Sequence, residues 1–246
     1  MLAPVIFAAI FGATAALVGA VATITGFGIG SVLTPLAASQ LGMSLAVAAV
    51  ALPHFAGTVF RAWRMRREID RDVFLGFGIA SAVGGLAGAL LQRAMAGPAL
   101  GIVLGCLLIF AGLMEATGAA RRLRFGGKAA WVAGIVSGGL GGLVGNQGGL
   151  RSGALLGFDV PKEAFVATAT AVGVLVDLAR LPVYLATYGR EMLGLWLPIA
   201  AGIVGVLFGT IAGERVLRRI PETAFRRGVA AALIALGAAM LAGLGR

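Results

Sequence analysis

Few residues in this chain could do chemistry, and most of them interrupt long apolar stretches. Arg151 follows closely on the glycine run Gly145–Gly149, beside the adjacent amides Asn146 and Gln147. A helix starting at such a break presents unpaired N–H groups and the positive end of its dipole. With a guanidinium fork added, the place suits a carboxylate, sulfonate or sulfite oxyanion. The competing reading is that Arg151 snorkels to a membrane interface and that the amides only cap the helix. Asp177 and Arg180 stand at i, i+3 and share a helical face. They form either a buried structural pair or part of a pathway, with Asp177 accepting a proton when Arg180 engages substrate. His54, the single histidine, follows Pro53. One histidine makes no metal site; its titration range suits proton coupling, and a hydrogen-bonded packing role is the alternative.

Two glycine-dense breaks would position these groups. The first is Gly26-Phe27-Gly28-Ile29-Gly30-Ser31-Val32-Leu33-Thr34-Pro35, and the second, 119 residues on, is Gly145-Asn146-Gln147-Gly148-Gly149-Leu150-Arg151-Ser152-Gly153. GFGIGS is not a nucleotide loop: its spacing is not GxGxxG, and apolar helical segments flank it instead of an alternating strand. The first break offers Thr25, Ser31 and Thr34, all neutral, so the two half-sites are unequal and the charge lies in the second. Gly28, Gly30, Ser31, Thr34, Asn146, Gln147, Gly148, Gly149 and Arg151 are the candidate substrate-binding residues. His54, Asp177 and Arg180 are the candidate coupling or charge-pair residues.

Composition says what surrounds them. Hydrophobic residues make up 59% of the 246 residues and charged residues 12%, with a mean hydropathy of +0.99. That fits a polytopic helical membrane protein with short loops and excludes an ordinary soluble domain. Forty glycines would weaken soluble helices but suit membrane helices that pack through small residues. The net charge of +10 does not point to nucleic acid, because fourteen of the 20 basic residues fall in three short loops. Cys106, the single cysteine, allows no disulfide within the chain. Met1 to Val21 lacks a basic start and reads as a first membrane helix, not a cleaved signal.

The apolar pattern predicts helical segments over 4–22, 28–41, 44–61, 73–92, 98–117, 129–145, 148–157, 163–184, 192–213 and 224–244. The second and seventh are too short to span comfortably a core of roughly 30 Å. The order of one long, one short and three long occurs twice, giving a single transport domain, 1–246, of two repeats, 1–120 and 125–246. An offset of 119 pairs Gly30 with Gly149 and Arg61 with Arg180, while Gly84 and Gly88 correspond to Gly205 and Gly209. The basic loops are Arg61–Asp72, Arg121–Lys128 and Glu214–Arg227. If the short segments cross, ten segments put all three loops on the cytoplasmic face; if they are re-entrant, eight crossings split them. The positive-inside rule favours ten, with both termini outside and the halves inverted. Pro182 is expected to kink its segment or begin its exit. Trp63, Trp131 and Trp196 fall near predicted helix ends as interface anchors.

No paired-carboxylate, HExxH, G-x-S-x-G, Walker or haem motif occurs, so no metal or cofactor is called for and ATP-driven transport by this chain alone is excluded. The expected class is an all-α polytopic membrane protein of about eight to ten segments. GFGIGSVLTP, LGMSLAVAAVALPHFAGTVF with its arginine loop, SGGLGGLVGNQGGL and LLGFDVPKEAFVATATAVG together resemble the sulfite exporter TauE/SafE family of bacterial permeases. Gly28, Gly30 and Pro35 match the family's break in the first copy. Gly148 and Gly149 match in the second, where Ala154 replaces the proline and Arg151 intrudes. The resemblance implies a multi-pass protein of the cytoplasmic membrane, a secondary permease for sulfite, an organosulfonate, a related sulfur oxyanion or a carboxylate. Its expected partners are that small anion and the lipid bilayer, with a proton or other ion for coupling and assembly with further copies left open. The alternatives are a membrane-embedded enzyme, which would need a polar catalytic cluster, and a non-transporting scaffold, which would need no charge beside a broken helix.

Overall fold

The computed structural model describes residues 2–25, 28–95, 98–119, 128–146, 148, 151, 155, 158, 161–217 and 222–244. Among these, the regular elements are all α-helices. They are α1 (Leu2–Thr25), α2 (Ile29–Leu41), α3 (Met43–Arg64), α4 (Arg71–Ala94), α5 (Ala99–Thr117), α6 (Lys128–Val144), α7 (Lys162–Gly194), α8 (Trp196–Leu217) and α9 (Glu222–Leu241). Five helices are long and apolar enough to cross a membrane, namely α1, α3, α4, α5 and α7, and the other four hold shorter apolar stretches. The second short segment, 148–157, lies outside the described residues except for Gly148, Arg151, Leu155 and the break that precedes it.

Local sequence sets the ends of the helices near the site. α2 starts after Gly28, whose φ of 122° is open to glycine, and continues through Pro35. Its 13 residues reach only about 20 Å at 1.5 Å per residue. Gly42, with φ 74°, is the whole connection between α2 and α3, so the two helices fold back upon each other within one residue. Asp70 caps α4 by accepting a hydrogen bond from Val73 N at 2.9 Å.

Of the two roles the sequence leaves to Pro182, a kink or an exit, the structure rules out the exit. α7 runs on through Pro182 to Gly194, 33 residues in all, or about 50 Å of helix. A proline removes one backbone bond and crowds one carbonyl, which ends a helix only if nothing else holds it. Leu181 and Tyr184 are buried on either side of it, and that packing carries the helix past the defect.

Small residues decide how closely the helices approach. α1 packs on α8, α4 on α6, α5 on α9, α3 on α7, α4 on α7 and α3 on α8. Exchanging the halves (α1 with α6, α3 with α7, α4 with α8, α5 with α9) turns α1·α8 into α6·α4 and α4·α7 into α8·α3. The same exchange returns α3·α7 and α5·α9 to themselves. Gly84 and Gly88 lie directly on the carbonyls of Ile135 and Gly139, and Gly205 and Gly209 on those of Gly12 and Ala16. A Cβ at any of the four would collide with that backbone, which cannot swing aside as a side chain can. Without a hydrophobic driving force between helices in lipid, such close backbone packing is the main attraction. The outward faces carry Leu17, Leu75, Val83, Val204 and Phe208, all more than half exposed, as lipid contact requires.

Candidate functional site

The polar residues singled out in the sequence converge where α3 and α7 cross. His54, Thr58 and Arg61 stand at i, i+4 and i+7 on α3 and so form one stripe. Opposite them, α7 presents Gly173, Asp177 and Arg180. His54 Nδ1 lies 2.7 Å from Asp177 Oδ2. Arg180 Nε donates to Asp177 Oδ1 at 2.9 Å, and its Nη2 stands in ion-pair contact with the same oxygen at 2.7 Å. Thr58 Oγ1 is 2.8 Å from the His54 carbonyl and 3.1 Å from Asp177 Oδ2, and its single proton serves one of them at a time. Arg180 Nη1 also donates to the Gly141 carbonyl, and the Tyr184 hydroxyl to the Gly142 carbonyl. The end of α6, just ahead of the second break, is thereby tied to α7. Asp177 is 0% exposed and Arg180 2%, so this is a fully buried, fully partnered ion pair, as the i, i+3 spacing suggests.

Arg151 does not snorkel. It is 3% exposed, and its Nη1 lies 3.0 Å from where a Cβ on Gly173 would stand. The absence of a side chain at Gly173 makes the room for this guanidinium. Arg61 is a correction to the loop assignment. It belongs to α3 and is 5% exposed, so it is no topology-setting loop charge. Its Nη1 faces Gly57, 3.7 Å from a Cβ there, and Ile29 Cδ1 at the start of α2 faces the same glycine. Arg61 is also near enough to Arg151 for the two charges to repel. Neither guanidinium is satisfied: among the described residues, Nε and Nη1 of both arginines are buried without a hydrogen-bond partner.

The two breaks meet beside this cluster. Gly30 packs against the Gly145 carbonyl, closer than any Cβ would permit. Ser31 donates to Asn146 Oδ1 at 3.3 Å. Thr34 is 0% exposed, its Oγ1 lacks a partner, and it sits 3.2 Å from a Cβ built on Gly145. Gly28 forms the entry to α2, and Gly148 is helical and buried. Gln147 and Gly149 lie outside the described residues. The structure thus brings Gly30, Ser31, Thr34 and Asn146 together at the contact of the breaks, and His54, Asp177 and Arg180 into one network. Arg151 stands beside Gly173 and Thr58, next to that network.

Charge bookkeeping shows what the cluster lacks. Three buried guanidiniums, Arg61, Arg151 and Arg180, face one carboxylate, Asp177, among the described residues. Arg180 and Asp177 cancel. Two positive charges remain with open donors, and an uncompensated buried charge costs several kcal/mol. The complement is an anion whose oxygens accept from two guanidinium forks.

A family model described as Sulfite exporter TauE/SafE matches residues 11–240. The chain belongs to the sulfite exporter TauE/SafE family. No curated protein and no solved structure matched it. Membership over nearly the whole length, with the apolar helices above, makes this chain a multi-pass membrane permease of a family named for sulfite export. TauE/SafE membership also agrees with the breaks that carried the resemblance, Gly28 and Gly30 with Pro35 and Gly148 in the second copy. Sequence reasoning missed Arg61, Thr58 and Tyr184. A signal for Arg61 was available, since it is the counterpart of Arg180 at the offset of 119, and a counterpart of a membrane-depth arginine is expected at similar depth.

Proposed function

We propose that the chain is a secondary permease for a small oxyanion, held by Arg61 and Arg151 beside the contact of the two glycine breaks. Sulfite, an organosulfonate, a related sulfur oxyanion or a short carboxylate would fit the donor set. The observation that carries this reading is the pair of buried guanidiniums with open Nε and Nη1 donors. A static scaffold has no use for them, and a buried charge left unpaired is selected against unless a ligand visits it. The start of α2 lies on the same side, since Ile29 Cδ1 and Arg61 Nη1 both face Gly57.

Counterflow in proteoliposomes against sulfite, sulfate, thiosulfate, methanesulfonate and short carboxylates tests the reading. Exchange of at least one of these anions is expected, and Arg151→Ala should abolish it while folded protein remains in the membrane. Undiminished exchange in Arg151→Ala would remove the anion from this place.

The same proposal includes an inverted arrangement of the two halves, each with five segments. The exchange of helix pairings between halves supports it; five crossings per half, an odd number, would set the two halves in opposite orientations. Single cysteines introduced at 42–43 and at 158–162, in a chain whose Cys106 has been replaced, should label from opposite sides of the membrane. Labelling from one side only would rule out the inversion.

A further inference from the structure

Asp177 holds more partners than an ion pair needs. Arg180 alone neutralises it, with a hydrogen bond from Nε and an ion-pair contact from Nη2, both on Oδ1. On Oδ2 it meets His54 Nδ1 and the Thr58 hydroxyl. A carboxylate so surrounded by donors stays ionised, so the proton in the His54–Asp177 contact belongs to Nδ1. That fixes the tautomer and leaves Nε2 as the position free to take up a proton. His54 is also the least enclosed member of the network, its side chain 11% exposed against 0% for Asp177.

We propose that His54 is the protonation site through which anion movement is coupled to proton movement in the same direction. This rests on the permease reading. With His54 neutral, the cluster carries the two open charges of Arg61 and Arg151. A proton arriving at Nε2 forms an imidazolium whose Nδ1–H still donates to Asp177, and it raises the positive charge beside the anion site by one. Proton and anion therefore favour each other's binding, and by reciprocity each is taken up with the other. Competition for one place, the basis of exchange, would need a carboxylate that either a proton or the cargo occupies. Asp177 cannot serve so, because Arg180 keeps it paired.

Other ionisable groups near His54 do not upset this sign. From α7 it meets Asp177 and Arg180, and from its own helix Arg61. α1 and α2 contain no ionisable side chain, and α8 packs on α3 through apolar contacts, Gly202 on Pro53 and Val206 on Gly57. The ionisable residues of α8, Glu214 and Arg215, stand at its far end, and Glu115 of α5 and Lys128 of α6 at one end of each helix; Cys106, midway along α5, is exposed on the outer surface.

The test uses full-length protein in liposomes with a lumenal pH dye, sulfite, thiosulfate and methanesulfonate as probes, and protein-free vesicles to subtract leak. Two quantities are read: anion exchange without a pH gradient, and uphill anion accumulation driven by a proton gradient. Wild-type protein should accumulate anion toward the more alkaline lumen and acidify it, and bind about tenfold more tightly near pH 5.5 than near pH 8. His54→Asn keeps an amide N–H toward Asp177 but cannot be protonated. It should lose gradient-driven accumulation at least tenfold more than exchange. Wild-type exchange without any proton movement overturns the coupling alone, as does accumulation by His54→Asn at the wild-type level. If His54→Asn fails to fold, the wild-type proton movement decides. No exchange of any probe by wild-type protein overturns the permease reading and this proposal together.

Discussion

Arg61→Met is expected to abolish anion flux and, in the same preparation, to raise the thermal midpoint of the anion-free protein. The two effects have one cause. Arg61 is buried on α3 with Nε and Nη1 unpartnered and with the like charge of Arg151 nearby. Removing a buried charge that has no counter-ion relieves a desolvation cost and a repulsion, and methionine fills much of the same volume. Replacements of buried charged groups by apolar residues of similar size stabilise by about 1–4 kcal/mol in comparable settings. Flux should fall at least about thirtyfold, since losing one partner of a desolvated, hydrogen-bonded charge pair costs about 2–5 kcal/mol of binding. Thermal unfolding of purified wild type and variant, with and without sulfate, alongside counterflow, checks both effects. A lowered midpoint with retained flux would make Arg61 a structural residue and return the anion to Arg151 alone.

Asp177→Ala should do the opposite to stability and more severely. Here the residue removed is the one carboxylate balancing three buried guanidiniums among the described residues. Arg180 would keep its bond to the Gly141 carbonyl and its place over the Tyr184 ring, His54 would lose its carboxylate acceptor, and Thr58 one of its acceptors. Breaking a buried pair by removing one partner costs about 3–5 kcal/mol, a large part of the stability of a domain this size. The expected result is little or no monodisperse protein after extraction, measured by size-exclusion chromatography. Asp177→Asn, which keeps the shape and one acceptor oxygen, should recover part of it. A well-behaved Asp177→Ala protein would show that another anion holds Arg180.

Most of the architecture was legible because apolar runs bounded by charge are the strongest signal a membrane sequence carries. The helices begin and end within a few residues of the predicted segments, except at α7, where Pro182 was given more weight than the packing of Leu181 and Tyr184 allowed. The breaks were legible as glycine clusters, and the contact of Gly30 with Gly145 follows from their lack of side chains. The second short segment shows the other limit: Gln147 and Gly149 lie outside the described residues, and their expected roles rest on sequence alone. Arg61 was misread for a physical reason. It is the first of five arginines within eleven residues, and a run of charge at a helix end reads as solvated loop. Only its helical register, one face shared with His54 and Thr58, separates it from Arg64, Arg66 and Arg67.

Thr58 and Asp177, in contact through Oγ1 and Oδ2, stand 119 residues apart, the offset that pairs Arg61 with Arg180. Each therefore touches its own counterpart. Were the halves two separate identical subunits, whatever occupied this position would face a copy of itself. Two aspartates would repel in a buried place, and two threonines would leave both arginines without a carboxylate. A single acidic group flanked by arginines can arise only where the two positions vary independently, which two copies of one half do not allow and a single chain carrying both does. Carrying both positions in one chain permits the mismatch on which the proposed anion site depends.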